Sequence, residues 1–166
     1  MRAAAAADPR LLTRDFDDLV EGLTFETRGR TITEADVVAF AALTGDLHPQ
    51  HVDAEWAASS LFGERVAHGM LLASYAVGLV NLDPERVVAL RRITSATFKA
   101  PVRLGDTIRV VARISRLLPL DEAHGLVGSS WRIVNQDDRP VVLLGVEVVW
   151  RRVPPDGSDR DGDRGR

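Results

Sequence analysis

A short polar segment in the first third of the chain carries the residue types that acid–base chemistry needs. Two carboxylates and two imidazoles lie within eight residues, at Asp46, His48, His51 and Asp53. The whole chain contains only four histidines, so half of them lie in this segment. A carboxylate beside an imidazole can remove a proton from water and deliver a proton elsewhere. The same residues also fit a solvated loop, in which Asp46 and Asp53 are turn and helix-capping residues.

The segment also offers potential metal ligands. Asp46, His48 and His51 are ligand types that zinc or iron accepts. However, Pro49 is expected to prevent the regular helix on which such spacings usually form one ligand face, and no further ligand cluster is evident. The chain has no cysteine, which excludes a thiolate zinc site, a disulfide framework and a cysteine nucleophile. We therefore expect no bound metal and no other cofactor.

A second candidate feature is the pair His68-Gly69, which directly precedes a long apolar segment. If that segment is a helix, its first N–H groups and the positive end of its dipole can bind an anion or a developing oxyanion. Glycine at position 69 would let a ligand approach the backbone closely. An equally open interpretation is that His68 and Gly69 only shape the turn into the helix.

Helix signals surround the polar segment on both sides. Thr33 followed by Asp36 resembles a capping box and predicts a helix start. Gly45 is placed where a left-handed residue would end that helix, directly before the polar segment. Beyond the segment, Asp53 is expected to cap a second short helix that runs through Leu61.

A third helix is predicted at Gly69–Val80, which is apolar on nearly all sides. A helix of this kind in a soluble protein is expected to be buried all round. The same segment is about half the length that a bilayer crossing needs, so we expect no membrane contact.

From residue 87 onward the sequence changes to β-branched runs that are separated by turn residues. Four long strands are predicted after the helices and one shorter strand before them. Their expected ranges are Leu23–Arg28, Val87–Phe98, Thr107–Leu117, Leu126–Val134 and Val141–Arg151. Helices followed by a run of strands favour an α+β fold with an antiparallel sheet. Wrapping that sheet around a long central helix is the simplest way to bury the apolar segment.

Length and composition favour one soluble domain. The chain has 166 residues, of which 45% are hydrophobic, and this is enough for a single core. We place the domain at residues 15–152 and expect residues 1–14 and 153–166 to be disordered. The net charge of −3, without a block of basic residues, argues against a nucleic-acid partner. The absence of cysteine is compatible with a cytoplasmic location.

The motifs together resemble those of the MaoC-like dehydratases, a family that includes the R-specific enoyl-CoA hydratases. The family signature is Asp-x-Asn-Pro-x-His, with an Asp two places later, followed by a helix entered through Ala-His-Gly. The matching segments of this chain are Asp46-Leu47-His48-Pro49-Gln50-His51-Val52-Asp53, Ala67-His68-Gly69-Met70-Leu71, and Phe98-Lys99-Ala100-Pro101-Val102 followed by Gly105-Asp106. The resemblance covers residues 23–150.

The resemblance implies a hot-dog fold, a homodimer or higher homo-oligomer, and syn addition of water to a trans-2-enoyl thioester of coenzyme A or a carrier protein. On the motif positions, Asp46 and His51 form the acid–base pair, and the backbone N–H of Gly69 contributes the oxyanion hole. The residues expected to bind substrate are His48, Pro49, His68 and Met70.

Two other functions stay open at this point: hydrolysis of an acyl thioester, and a non-catalytic subunit that binds acyl groups or acts as a scaffold. An intact pair for activating water favours hydration, because a thioesterase would hold its water against the carbonyl carbon.

The chain departs from the family signature at His48, where the family carries Asn. Histidine is bulkier than asparagine and can be protonated near neutral pH. It could donate a hydrogen bond in place of the amide, hold Asp46 ionised as a cation would, or indicate a changed substrate or lost activity. We favour the neutral role, because the family functions with an uncharged amide at this position.

Overall fold

The structure is a computed structural model that describes residues 11–152. The predicted tail at 153–166, and residues 1–10 of the predicted disordered N-terminal segment, lie outside the described residues. Within that segment, Leu11–Thr13 form a short 3-10 helix. The indole Nε1 of Trp150 donates a hydrogen bond to the backbone oxygen of Arg14 at 2.9 Å. The described domain therefore begins before residue 15, the boundary expected from the sequence.

One antiparallel sheet forms most of the domain. The strands are β1 Thr24–Glu26, β2 Arg30–Thr31, β3 Val87–Phe98, β4 Thr107–Pro119, β5 His124–Val134 and β6 Pro140–Arg151. Their order across the sheet is β1-β4-β5-β6-β3, with β2 also paired to β4, and all of these pairs are antiparallel. The prediction of an α+β fold with an antiparallel sheet is confirmed.

The sheet has one buried face because side chains alternate along each strand. In β4, for example, Ile108, Val110, Ala112 and Ile114 are buried, and the residues between them lie nearer the surface. Strand β3 shows several register shifts against β6, and such bulges bend and twist a strand. The buried residues of β4, β5 and β6 supply most of the core on the sheet side.

Four α-helices of the described chain precede the long strands: α1 Glu34–Thr44, α2 Pro49–Val52, α3 Ala54–Ala58 and α4 Gly69–Val80. Helix α1 begins with the predicted capping box, in which Thr33 and Asp36 each accept a hydrogen bond from the backbone N–H of the other. It ends at Gly45, whose φ of 76° is the left-handed conformation that glycine adopts without strain. The chain therefore leaves α1 directly before Asp46.

Helix α4 is the central helix and packs against the buried face of the sheet, on β4 and β6. Its boundaries are those predicted, and Leu72 and Ala76 are among its buried residues. The prediction that it is buried on every side is wrong for a single chain, since Met70, Ser74 and Gly78 form an exposed stripe. No helix within residues 11–152 has the length and apolar character needed to cross a membrane.

The short helices differ from the prediction in two details. The sequence suggests that Pro49 prevents a helix, but Pro49 is at the start of α2, where its missing N–H breaks no helical hydrogen bond. Asp53 caps α3, as predicted, by accepting a hydrogen bond from Trp56 N at 3.0 Å. Helix α3 ends at Ala58 and does not reach Leu61.

The Asp36 cluster, formed by Arg30, Asp36 and Tyr75, joins the start of α1 to β2 and to the middle of α4. The Tyr75 hydroxyl and Arg30 Nη2 both donate hydrogen bonds to Asp36 Oδ1, at 2.6 and 2.9 Å. The Arg30 guanidinium also lies 3.9 Å from the centre of the Tyr75 ring. Burial raises the pKa of Asp36, but the hydrogen bonds from Tyr75, Thr33 and Arg30 outweigh it and hold this pKa well below its usual range.

Candidate active site

Three helices bring a carboxylate and two imidazoles together at the N-terminal end of α4. Asp46 follows the C-cap of α1, His51 lies in α2, and His68 is the N-cap residue of α4. A carboxylate oxygen of Asp46 and one ring nitrogen of each histidine all lie within 4.8 Å of one another. Both histidines are buried, whereas Asp46 is exposed. The two residues predicted to form the acid–base pair are therefore neighbours in space.

Two contacts fix the ring of His51. Its Nδ1 lies 2.6 Å from the backbone oxygen of Val66, and because a carbonyl oxygen only accepts, Nδ1 carries the hydrogen of the neutral ring. The lone pair is then on Nε2, which lies 2.9 Å from the side-chain nitrogen of Gln50. Burial lowers the pKa of His51 below its usual range, although the Val66 oxygen and the Asp46 charge act in the opposite direction. Burial thus favours the neutral form of His51, in which the lone pair is on Nε2.

His68 contacts both Asp46 and His51. It is only 2% exposed, and its Nε2 donates to the backbone oxygen of Asp46 at 3.0 Å, because that oxygen can only accept. Its ring stacks on the ring of His51, with 3.7 Å between centres and 24° between planes. Its Nδ1 is buried and has no hydrogen-bond partner among residues 11–152. His68 therefore holds the backbone at Asp46 and the ring of His51 in place relative to α4.

The N-terminus of α4 forms the other side of the site. The N-cap residue His68 makes no side-chain capping hydrogen bond, so the first N–H groups, starting at Gly69, have no acceptor within the helix. The ring of Phe98 lies directly against Gly69, since a Cβ atom at Gly69 would be 2.6 Å from Cε1 of Phe98. A larger residue at position 69 would therefore require the Phe98 ring to move, and Gly69 lines the same cavity as Asp46 and His51.

A cavity of about 460 Å³ opens beside these groups. Asp46, Gln50 and His51 contribute to its polar wall. Other lining side chains are apolar, namely Phe62, Met70, Leu72, Phe98 and Val102. Lys99, the only lysine in the chain, also lines the cavity and is exposed. Such a cavity suits a ligand that joins a polar reacting group to a hydrocarbon portion.

The residues predicted to bind substrate fall into two groups. His68 and Met70 line the cavity, His68 as a buried residue and Met70 with about half of its surface exposed. His48 and Pro49, at the start of α2, are not among the residues that line it. Their substrate-binding role stays a prediction.

His48 acts as the N-cap residue of α2. Its Nδ1 accepts a hydrogen bond from the backbone N–H of Gln50 at 3.2 Å. Its ring meets the ring of Trp56 edge to face, with 5.4 Å between centres. The contact to Asp46 comes from the backbone nitrogen of His48, at 3.4 Å from Oδ1, and not from its ring. The observed contacts of the ring are those of an uncharged capping group.

Gln50 and Phe98 also line the cavity, and neither residue was predicted from the sequence to have a role. Both lie inside motifs that were matched to the family, Gln50 directly before His51 and Phe98 at the start of the last segment. Position in a motif is the only signal that marks them, because their contacts to His51 and Gly69 depend on tertiary packing.

Asp46, His51 and His68 are also the only group of described residues whose ligand atoms are close enough to hold a metal ion. The sequence suggested His48 as the third ligand of such a set. The rings of the two buried histidines are nearly parallel and stacked, so their lone pairs lie in parallel planes and do not converge on one ion. Tetrahedral coordination needs convergent ligands, an arrangement that these ring orientations do not provide.

Comparison with known proteins places this chain in a family. The family model of the MaoC like domain matches residues 20–125. The chain is similar to the (R)-specific enoyl-CoA hydratase of Rhodospirillum rubrum, with 35% identity over 109 residues, which are 66% of this chain and 75% of that protein. It is also similar to the 3-hydroxybutyryl-CoA dehydratase of Methylorubrum extorquens, with 36% identity over 111 residues, 67% and 70% of the respective chains.

A solved structure of similar fold is that of the monoamine oxidase regulatory protein from Archaeoglobus fulgidus. It shares 34% sequence identity with this chain at a TM-score of 0.80, and the match covers 85% of this chain and 96% of that one. The sheet that packs around a central helix is the hot-dog fold, as in other solved structures that match most of this chain.

Proposed function

Because the chain belongs to the MaoC-like dehydratase family and is an enzyme of the hydratase and dehydratase class, we propose that it catalyses the reversible syn hydration of trans-2-enoyl thioesters to (R)-3-hydroxyacyl thioesters. One observation carries this proposal. The carboxylate of Asp46 and the imidazole of His51 meet within 4.8 Å beside a cavity, next to the uncapped N-terminus of α4.

The geometry suits the three tasks of hydration. As the oxygen of water bonds to C3, the Asp46–His51 pair takes one proton from that water and delivers one proton to C2. The pair therefore ends the reaction in its initial protonation state. As the C3–O bond forms, the electrons of the C2–C3 double bond shift towards the thioester oxygen, where the Gly69 N–H donates a hydrogen bond to the enolate. When the thioester carbonyl forms again, the electron pair returns to C2 and makes the bond to the delivered proton. A single acid–base pair serves one face of the substrate, which gives syn addition.

The apolar wall of the cavity is proposed to receive the acyl chain. Phe62, Leu72 and Val102 line the same cavity as the acid–base pair, so a hydrocarbon tail attached to C3 can leave the polar part of the site without contacting water. Burying each methylene of such a tail favours binding by roughly 0.8 kcal/mol.

The test is incubation of the purified protein with crotonyl-CoA. We expect the enoyl absorbance to fall without release of free thiol, and we expect chiral chromatography of the hydrolysed product to give the (R)-3-hydroxy acid. Release of free CoA would instead indicate thioester hydrolysis. No change with thioesters of several chain lengths would indicate a non-catalytic acyl-binding subunit, and the (S) product would contradict the proposed geometry.

The proposed reaction needs no metal. Direct activation of water by Asp46 and His51 predicts that EDTA leaves the rate unchanged, and that metal analysis of the purified protein finds no stoichiometric ion. A stoichiometric ion whose removal abolishes hydration would contradict this part of the proposal.

A homodimer is the proposed assembly, because one chain leaves an apolar edge uncovered. Strand β3 is the last strand in the order of the described sheet, and nearly all of its residues are exposed. The exposed apolar side chains of this strand are Val88, Leu90, Ile93 and Phe98. The exposed stripe of α4 adds Met70. An unpaired edge strand of this length usually pairs with another chain, and a two-fold axis closes such an assembly.

Sedimentation equilibrium of the wild type at micromolar concentration is expected to give a dimer or a larger closed assembly. Ile93→Asp, which places a charge on the exposed edge, is expected to give a monomer. Leu120→Asp is the matched control, because Leu120 is exposed to a similar degree in the turn between β4 and β5. A monomeric wild type would contradict the proposed assembly.

A further inference from the structure

Gln50 makes a contact that the proposed reaction does not use. Its side-chain nitrogen lies 2.9 Å from Nε2 of His51, the nitrogen with the lone pair. On the basis of the proposed hydration, we infer that Gln50 is a positioning residue that holds Nε2 of His51 as an unprotonated acceptor in the free enzyme. The family signature Asp-x-Asn-Pro-x-His allows any residue at the position of Gln50.

The direction of this hydrogen bond follows from the other side of the ring. The backbone of Val66 contacts both residues: its N–H donates to the backbone oxygen of Gln50 at 3.1 Å, and its oxygen accepts from Nδ1 of His51 at 2.6 Å. With Nδ1 as a donor, Nε2 of the neutral ring can only accept. The amide nitrogen of Gln50 is therefore the donor, and the amide is oriented by the chemistry of its partner.

This arrangement favours one protonation state of His51. If Nε2 were protonated, its N–H would face the amide N–H of Gln50, and two donors cannot form a hydrogen bond. The contact would then be lost unless the amide flipped to present its oxygen. A hydrogen bond that is made only to the neutral form disfavours the charged form. Gln50 thus acts together with the burial of His51, and it keeps the basic nitrogen at the edge of the cavity.

Other ionisable groups act on the same ring. Those that influence the charge of His51 are Asp46 from the loop after α1, His48 at the start of α2 and His68 at the start of α4, and Lys99 lines the same cavity. Gln50 differs from these four groups because it contacts Nε2 directly and carries no charge. Its contribution can therefore be separated by changing the charge at position 50 alone.

The test compares Gln50→Glu with Gln50→Met. A carboxylate at position 50 accepts from a protonated Nε2 and supplies an opposite charge, so the pKa of His51 is expected to rise by about 1 to 3 units. Methionine has a similar length and no donor, so it removes the contact without adding charge. We expect a smaller upward shift for this variant and hydration within about tenfold of the wild type. The measurements are NMR titration of the His51 ring nitrogens and kcat/KM against pH.

In kcat/KM, protonation of His51 removes the base, so a higher pKa moves the acidic limb of the profile to higher pH. Leu47→Glu is the matched control, since Leu47 lies in the same loop and is 63% exposed. We expect it to shift the limb by less than Gln50→Glu does. Native circular dichroism is required of each variant, and Gln50→Met provides the test if Gln50→Glu does not fold.

An unchanged His51 titration in both Gln50 variants would overturn the inference. The NMR titration needs no turnover, so it separates this inference from the proposed reaction. If the protein shows no hydratase activity but the pKa of His51 rises in Gln50→Glu, the proposed reaction is refuted and the role of Gln50 still holds. If the protein is active but its His51 titration is the same in the wild type and both Gln50 variants, the role of Gln50 is refuted and the proposed reaction still holds.

Discussion

Two polar clusters connect the region of α1 to α4, and they differ in how fully their hydrogen-bonding groups are satisfied. In the Asp36 cluster, the carboxylate accepts hydrogen bonds from Tyr75, Arg30 and Thr33 at 2.6 to 2.9 Å. In the candidate-site cluster of Asp46, Gln50, His51 and His68, the 3.4 Å contact from the backbone of His48 is the only hydrogen bond that the described residues make to the carboxylate of Asp46. The Nδ1 of His68 has no partner in the described chain.

The difference separates stability from chemistry. A carboxylate with all its acceptor sites filled is locked in its ionised form, and removing a partner leaves a costly unsatisfied group. A carboxylate with free acceptor sites beside a cavity can bind water and exchange protons. We therefore expect changes in the candidate-site cluster to affect rate with little effect on folding, and changes in the Asp36 cluster to affect folding with little effect on rate.

The largest expected effect is on rate. Asp46→Asn and His51→Ala each remove one member of the acid–base pair and are expected to lower hydration of crotonyl-CoA by about 100-fold or more. Asp46 is exposed, so the asparagine variant should keep the native circular dichroism spectrum and nearly the wild-type Tm. Near-full activity in either variant would show that the pair is wrongly assigned.

The next effect is on stability. Tyr75→Phe removes the hydroxyl that donates to Asp36 at 2.6 Å, and a hydrogen bond to a charged group in this half-buried position stabilises the fold by about 1 to 2 kcal/mol. We expect urea unfolding at neutral pH to show this decrease in the free energy of unfolding, and we expect kcat/KM to stay within about twofold of the wild type. If kcat/KM fell by more than the loss of folded protein explains, the Asp36 cluster would also affect rate, and the proposed difference between the two clusters would be wrong.

The same cluster predicts a pH dependence of stability. Because the pKa of Asp36 is lower in the folded protein than its usual value of about 3.9, its contribution is present above that pH and is lost as the pH falls towards the folded value. Asp36→Asn removes this contribution. The difference in free energy of unfolding between wild type and Asp36→Asn is therefore expected to shrink between pH 6 and pH 3, and a constant difference would contradict the assignment.

Local signals in the sequence predicted much of this architecture. The capping box of Thr33 and Asp36 and the left-handed Gly45 fixed both ends of α1, because helix caps are made by residues within a few positions of the helix end. The apolar run at Gly69–Val80 gave the bounds of α4 for the same local reason. These two helices place Asp46 and Gly69, so the position of the site followed from short-range rules.

The contacts within the site could not be predicted in that way. His68 lies 22 residues after Asp46, and whether its ring contacts the backbone of that residue or the substrate depends on how α4 packs against the loop. The exposed stripe that includes Ser74 was also missed, because an apolar sequence does not distinguish burial within a chain from burial between chains. The hydrogen bond from the Gln50 side-chain nitrogen to Nε2 of His51 likewise depends on how α2 packs against Val66.

A modest effect on rate is expected at His48, the position at which the chain departs from the family signature. The ring accepts from Gln50 N through Nδ1, and the side-chain oxygen of asparagine makes the same contact at a helix N-cap. His48→Asn is therefore expected to keep hydration within about tenfold, which is about 1.4 kcal/mol of barrier. His48→Ala is the control that loses the cap, and we expect it to be less stable than His48→Asn by about 0.5 to 2 kcal/mol.

The pH profile of His48→Asn decides between the neutral and the cationic role. If the ring supplied a positive charge to Asp46, its removal would raise the pKa of that carboxyl and move the acidic limb of log kcat/KM upward. The capping contact requires an unprotonated Nδ1, because a protonated nitrogen cannot accept a hydrogen bond from Gln50 N. We therefore expect the ring to contribute as a neutral group and the acidic limb to stay where the wild type has it. A displacement of one unit or more would refute the neutral role and show that this chain replaced a capping amide with a cation.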